Sequence, residues 1–193
     1  MADPEESGLM TLIVAWALVA MATVDAAPPL IAGVDVPAPR KLKTVQAEFP
    51  DVARRAVPPI EGLILLQVTL NEMGRPTDIV VLGKGVPLCD GAAIEAVRRW
   101  EYEPTLVDGT PRRVMLKTVV EFFLSSKSRQ QHFLQLATSA HEDVGLRLYA
   151  IQSLLANPMD EKGVRKALEV AATDTNEKVA NAARQGLSKL GQP

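Results

Sequence analysis

Few residues in this chain could do chemistry, and their spacing argues against it. His132 and His141 stand in a helical segment with no Cys or further His at the spacing of a zinc site. His141-Glu142-Asp143 lacks the second His that a zinc-protease helix requires. Ser139 beside His141 has none of the glycine-flanked turn that exposes a hydrolase nucleophile. Gly83-Lys84-Gly85 is too short to wrap a phosphate and reads as a turn. Cys89, the single cysteine, can form no intramolecular disulfide. Its place at a helix start could acidify the thiol, but an inert packing role suits it better. The sequence therefore offers no catalytic residue, no metal site and no cofactor site, and the chain does not read as an enzyme.

The elements around these residues read more clearly. The chain is 193 residues long, 47% hydrophobic and 23% charged, enough to bury an ordinary core. With two Trp, two Tyr and four Phe, that core must be mainly aliphatic. The net charge of −2 is spread with both signs interspersed, so there is no concentrated basic face for nucleic acid. Leu9–Val24 is uncharged over sixteen residues. That length falls between a secretory apolar region of about 7–15 residues and a bilayer-spanning helix of roughly 20. Residues 1–26 are therefore a signal peptide, cleaved after Ala26, or a membrane anchor. Asp3, Glu5 and Glu6 fit neither reading, because such a flank is normally basic. Pro28, Pro29, Pro37 and Pro39 mark residues 27–40 as a linker. Proline-rich chain extends about 3.1 Å per residue, so this one reaches roughly 40 Å.

Residues 41–124 form the first folded unit. A short helical turn at Asp51–Ala56 ends at Pro58-Pro59. Leu63–Leu70 alternates as a strand, Asn71–Gly74 turns the chain, and Thr77–Leu82 returns as the second arm of a hairpin. Leu88–Trp100 is helical, with Ala93, Ala96, Val97 and Trp100 on one stripe. Asp108-Gly109 makes a turn, and Arg113–Phe123 is a long last strand. The β-β-α-β order predicts an α+β fold, a small antiparallel sheet with a helix on one face.

From Ser125 the period changes to 3.6. Helices are predicted near Ser128–Ala140, Asp143–Ala156, Glu161–Ala172 and Asn176–Leu190. The second and fourth superpose at a shift of 33, which puts Leu146, Ala150 and Leu154 on Val179, Ala183 and Leu187. Residues 125–193 resemble two HEAT-type helical hairpins, although the period is shorter than the roughly 40–47 residues of that family. Two hairpins are fewer than the three or so normally needed to bury a continuous core, and neither end presents the polar outer face of a capped array. Phe133, Tyr149, Leu154 and Leu155 would then leave an apolar patch. The helices are therefore expected to dock on the sheet or on a partner; the alternative is that these residues close on themselves as a four-helix miniature with its own core.

The landmarks of the first unit fall in a definite order: Phe49-Pro50, Ala53, Glu61-Gly62, Gly74-Arg75, Ala92-Ala93-Ile94, Trp100-Glu101-Tyr102-Glu103-Pro104, Gly109 and Val120-Glu121-Phe122. This order resembles the C-terminal domain of TonB-family energy transducers, periplasmic modules that grip outer-membrane transporters. The resemblance implies that the last strand lies at a sheet edge and that a transporter's short extended N-terminal segment pairs with it. The partner-binding residues carried over are Phe49, Pro50, Val114, Leu116, Thr118, Val120 and Phe122. Phe49 stands where the family has Tyr, so the hydroxyl is lost. Arg112, Arg113 and Lys117 are charges that guard an edge and could steer an acidic peptide.

Two departures bear on role. The family's Pro-rich spacer is much longer than residues 27–40. Its membrane helix carries a His that couples to inner-membrane motor proteins, whereas Leu9–Val24 has no ionisable residue. The function expected is a periplasmic adaptor in energy-dependent outer-membrane transport, attached to the inner membrane through the N-terminal segment or released by cleavage. The alternative is an exported scaffold that uses both folded parts for protein binding without energy transduction.

Overall fold

The computed structural model describes residues 27–83 and 86–191. The apolar stretch Leu9–Val24, the cleavage site after Ala26, and Lys84-Gly85 lie outside the described residues. In chain order the elements begin with β1 (Leu30–Ile31), β2 (Lys41–Lys43), α1 (Asp51–Arg54), β3 (Gly62–Leu70), β4 (Pro76–Leu82) and α2 (Pro87–Val97). Then come β5 (Glu101–Tyr102), β6 (Thr105–Val107), β7 (Thr110–Arg112) and β8 (Val114–Phe122). Four helices follow: α3 (Ser126–Thr138), α4 (Val144–Ala156), α5 (Glu161–Ala171) and α6 (Glu177–Leu190). Among the described residues no helix is long and apolar enough to cross a membrane.

The main sheet has the order β1-β8-β3-β4. β3 is antiparallel to both neighbours, and its ladder with β8 runs without a break from Gly62↔Phe122 to Leu70↔Val114. The β3–β4 hairpin turns where the Asn71 side chain accepts the N–H groups of Met73 and Arg75 at 3.0 and 2.9 Å. Gly74 is required there. Its φ of +74° is costly for other residues, and a Cβ would run into the carbonyl of Tyr102. Asp108 and Gly109 close a second hairpin, β6–β7, where the sequence placed a turn.

Both faces of the sheet are covered. Ile64, Leu66, Val68 and Leu70 of β3 pack with Val120 and Phe122 of β8 under α2, whose Cys89, Ala93 and Val97 are fully buried. Trp100 closes this layer. It is 4% exposed, and its ring N–H donates to the Val45 carbonyl at 2.7 Å. Strand residues alternate faces, so Leu63 and Val119 point to the other side. There, with Phe123, they join the core of the helical unit.

Each of the four helices opens on a side-chain cap: Ser125, Asp143, Asp160 and Asn176 accept backbone N–H groups from the first turn. The caps Asp143 and Asn176 repeat the 33-residue shift that relates α4 to α6. α3 packs on α4 and α5 on α6, and the pairs stack α3 on α5 and α4 on α6. Phe133 and Leu154 are buried inside this unit, against Ile151, Val164, Leu168 and Val179. Arg147 and Asp174 form a buried ion pair that ties α4 to the connector before α6.

Three expectations need correction. The sheet is mixed, because β1 runs parallel to β8. Residues 27–40 are not only a spacer, because they supply β1 and the turn after it. The last hairpin does carry a polar outer face: Lys162, Lys166, Glu169, Asn181, Arg184 and Lys189 are exposed. The unit thus caps itself at that end and uses Leu63, Val119 and Phe123 at the other.

Candidate functional site

The long strand β8 has one side filled by β3 and another side nearly bare. Along a strand, successive residues turn their N–H and C=O groups to opposite edges. Leu30 and Ala32 donate to the carbonyls of Arg113 and Met115 at 3.0 and 2.9 Å, which fixes odd-numbered residues as outward-facing. With the ladder unbroken, the groups of Lys117, Val119 and Glu121 face outward too. Beyond Met115 no strand pairs with this edge among the described residues.

The side chains expected at a partner interface lie elsewhere. Val114, Val120 and Phe122 are buried, and Leu116 packs against the same core beneath α2. Thr118 lies opposite Leu66 on that face. The physical reason is the alternation itself: residues on one face of a covered sheet become core. β8 therefore offers backbone at its edge, not these side chains. Phe49 also turns inward. Its ring meets Phe122 edge to face at a centroid distance of 5.6 Å, and Pro50 is the residue from which α1 starts.

Two charged groups on the open part of the edge, Lys117 and Glu121, are already paired. Lys117 reaches Asp143 at 3.3 Å. Glu121 takes two bonds from Arg129, at 2.5 and 2.9 Å, and a third from the Tyr149 hydroxyl. Burial pushes the Glu121 carboxyl up, but these donors outweigh it and hold it below the usual carboxylate range. Burial and the same carboxylate push Tyr149 up to about 12, so it remains a neutral donor. Between Lys117 and Glu121 the edge is therefore nearly neutral and offers backbone more than charge, while Arg112 and Arg113 leave positive charge at its start.

Residues 45–124 match the family model for the Gram-negative bacterial TonB protein C-terminal. The matched stretch contains α1, β3, β4, α2 and β8, and it is similar to that C-terminal domain. It is similar to Protein TonB of Vibrio cholerae serotype O1, at 32% identity over 68 residues, or 35% of this chain. The chain spans 27% of the length of that relative. A solution NMR structure of the Pseudomonas aeruginosa TonB CTD aligns at 23% identity and a TM-score of 0.39, over 48% of this chain and 93% of that one. The family match ends at residue 124, so the helical unit lies outside the TonB-like stretch.

The other sequence candidates fall away from this edge. Cys89 is fully buried, and burial followed by the neighbouring Asp90 pushes its thiol up, which suits packing. His132 and His141 line an open cleft of about 550 Å³ between the sheet and α3, with Glu61, Glu142, Leu63 and Leu136. Among the described residues no group of three or more ligating side chains is placed to hold a metal ion. Sequence reasoning missed β1 and the Arg129–Glu121–Tyr149 cluster. The only signal for β1 was Leu30-Ile31, two β-prone residues following Pro28-Pro29. The cluster gave no signal, since its members come from three different elements.

Proposed function

We propose that the chain is a periplasmic protein-binding module that takes up an extended peptide by strand addition on the outer edge of β8. The observation that carries this reading is the bare row of N–H and C=O groups at Lys117, Val119 and Glu121, within a stretch of TonB C-terminal type. An unpaired edge is a template for an incoming strand, whose affinity comes from main-chain hydrogen bonds. The role is that of an adaptor in energy-dependent outer-membrane transport. Its partners are an outer-membrane transporter or another periplasmic protein, with inner-membrane motor proteins behind it. The N-terminal segment tethers it to the inner membrane or is removed after Ala26, and the mass of the mature protein distinguishes the two.

The test is an amide-shift titration of the full chain with N-terminal peptides of outer-membrane transporters from the same genome. Shifts centred on Lys117–Glu121 are expected. Unchanged shifts along β8 would sink the proposal.

A second reading has an observation in its favour. The HEAT-like helices are seated on the sheet through Leu63, Val119 and Phe123 and turn a polar face outward, and Leu9–Val24 carries no ionisable residue for motor coupling. In that reading the protein is an exported scaffold with two binding parts and no energy transduction. Copurification of a partner with residues 125–193 intact, and its loss on charge reversal at Lys162, Lys166 and Arg184, would favour it.

A further inference from the structure

The bare edge of β8 has an occupant at one end, and it comes from the same chain. β1 lies parallel to β8 with Leu30 opposite Val114 and Ile31 opposite Met115. Its hold is mainly backbone: Leu30 N–H to Arg113 O and Ala32 N–H to Met115 O. Ile31 is 42% exposed and Leu30 only half-buried, so side-chain packing adds little.

The strand stops at once. Val34 and Asp35 donate their N–H groups to the Ile31 carbonyl at 3.1 and 2.8 Å, and Gly33 donates to Val36 at 2.7 Å. The Asp35 carboxylate accepts the Ile31 N–H at 2.7 Å. Gly33 adopts φ of +80°, which a residue with a Cβ takes reluctantly. This closed turn lifts the chain away from β8 before it can reach Lys117. The edge is thereby divided: Arg113 and Met115 are taken, while Lys117, Val119 and Glu121 have no strand partner among the described residues.

We propose that β1 is a built-in, displaceable occupant of the docking edge, which an extended peptide parallel to β8 must expel in order to use the whole strand. The inference rests on the proposed function, that this edge receives a peptide. A peptide covering only Lys117–Glu121 coexists with β1. One reaching back to Arg113 competes with it. Competition is real because β1 is tethered: the residues between it and β2 keep it near the edge at a high effective concentration. It is also beatable, because it contributes only a few hydrogen bonds. β1 thus sets a minimum length and lowers the apparent affinity for long ligands by the fraction of time that it is docked.

The experiment compares the full chain with its L30P/A32P variant, which lacks both donors but leaves the buried core untouched. The probes are synthetic five-residue and nine-residue peptides of alternating valine and threonine, followed by amide shifts. The nine-residue peptide should bind the variant about tenfold more tightly than the parent, and the five-residue peptide should bind both alike. In the parent chain, saturation with the longer peptide should also speed hydrogen exchange at Leu30 and Ala32, a readout that needs no variant. Equal affinity of the longer peptide for both proteins, with shifts at Lys117–Glu121 and unchanged exchange at Ala32, would overturn the role of β1 and leave the docking edge standing. Absence of binding by either peptide to either protein would overturn both.

Discussion

Trp100 is held by two kinds of contact: its ring is buried in the α2 layer, and its N–H is spent on the Val45 carbonyl. Lys41 adds a cation 3.7 Å from the ring centre. Trp100→Ala should lower stability by about 3–5 kcal/mol, read as a reduced urea midpoint. A midpoint that does not move would mean the ring is not core. Acid sensitivity also belongs to single residues. Hydrogen bonds from the Arg147 side chain and the Asn176 backbone hold Asp174 below the usual range, and Arg129 and Tyr149 do so for Glu121 despite its burial. A depressed carboxylate contributes stability above its unfolded pKa and loses it as pH falls through the folded value. The melting temperature should therefore be flat from pH 7 to about 5 and fall below about pH 4. Arg147→Met strands Asp174 in a buried site and should cost about 3–5 kcal/mol. Adding Asp174→Asn should recover part of that loss, and strict additivity of the two changes would argue against a shared pair.

At the scale of elements, β8 makes a prediction that depends on parity. Proline removes one N–H. At Val119 that N–H faces the open edge, so Val119→Pro should keep a cooperative melt and lose most peptide affinity. At Thr118 it faces β3, so Thr118→Pro should break the ladder and unfold the domain at ordinary temperature. If the two variants behave alike, the outward assignment is wrong. The same strand shows what the sequence could and could not disclose. The α2 stripe of Ala93, Ala96, Val97 and Trp100 and the Asn71–Gly74 turn were legible because each is specified by neighbours a few residues apart. Which side of β8 faces α2 was not. A sheet covered on both faces reads apolar at odd and even positions, and Met115 and Val119 look no less buried than Leu116 and Val120. β1 was hidden for a different reason: a two-residue strand in a proline-rich stretch exists only because Arg113 and Met115, some eighty positions away, offer it carbonyls.

At the scale of the molecule, the sheet is a shared wall between two cores. Leu63, Val119 and Phe123 belong to the helical side, and Glu61 reaches across to Ser128 while Glu121 reaches Arg129 and Tyr149. Residues 125–193 alone would expose that seat. The isolated fragment should aggregate or melt without cooperativity and regain order on addition of residues 40–124. A monomeric, cooperative melt of the fragment would show that the wall is dispensable. The shared wall also has a mechanical side. Traction on a strand laid along β8 would load all nine β3–β8 residue pairs side by side, in shear, instead of peeling them one after another. Just past Phe122 the chain enters α3, whose Arg129 grips Glu121, so the pull is handed on to the helices. In the binding mode proposed above, the strand that takes the pull is also the one laddered along its whole length to β3.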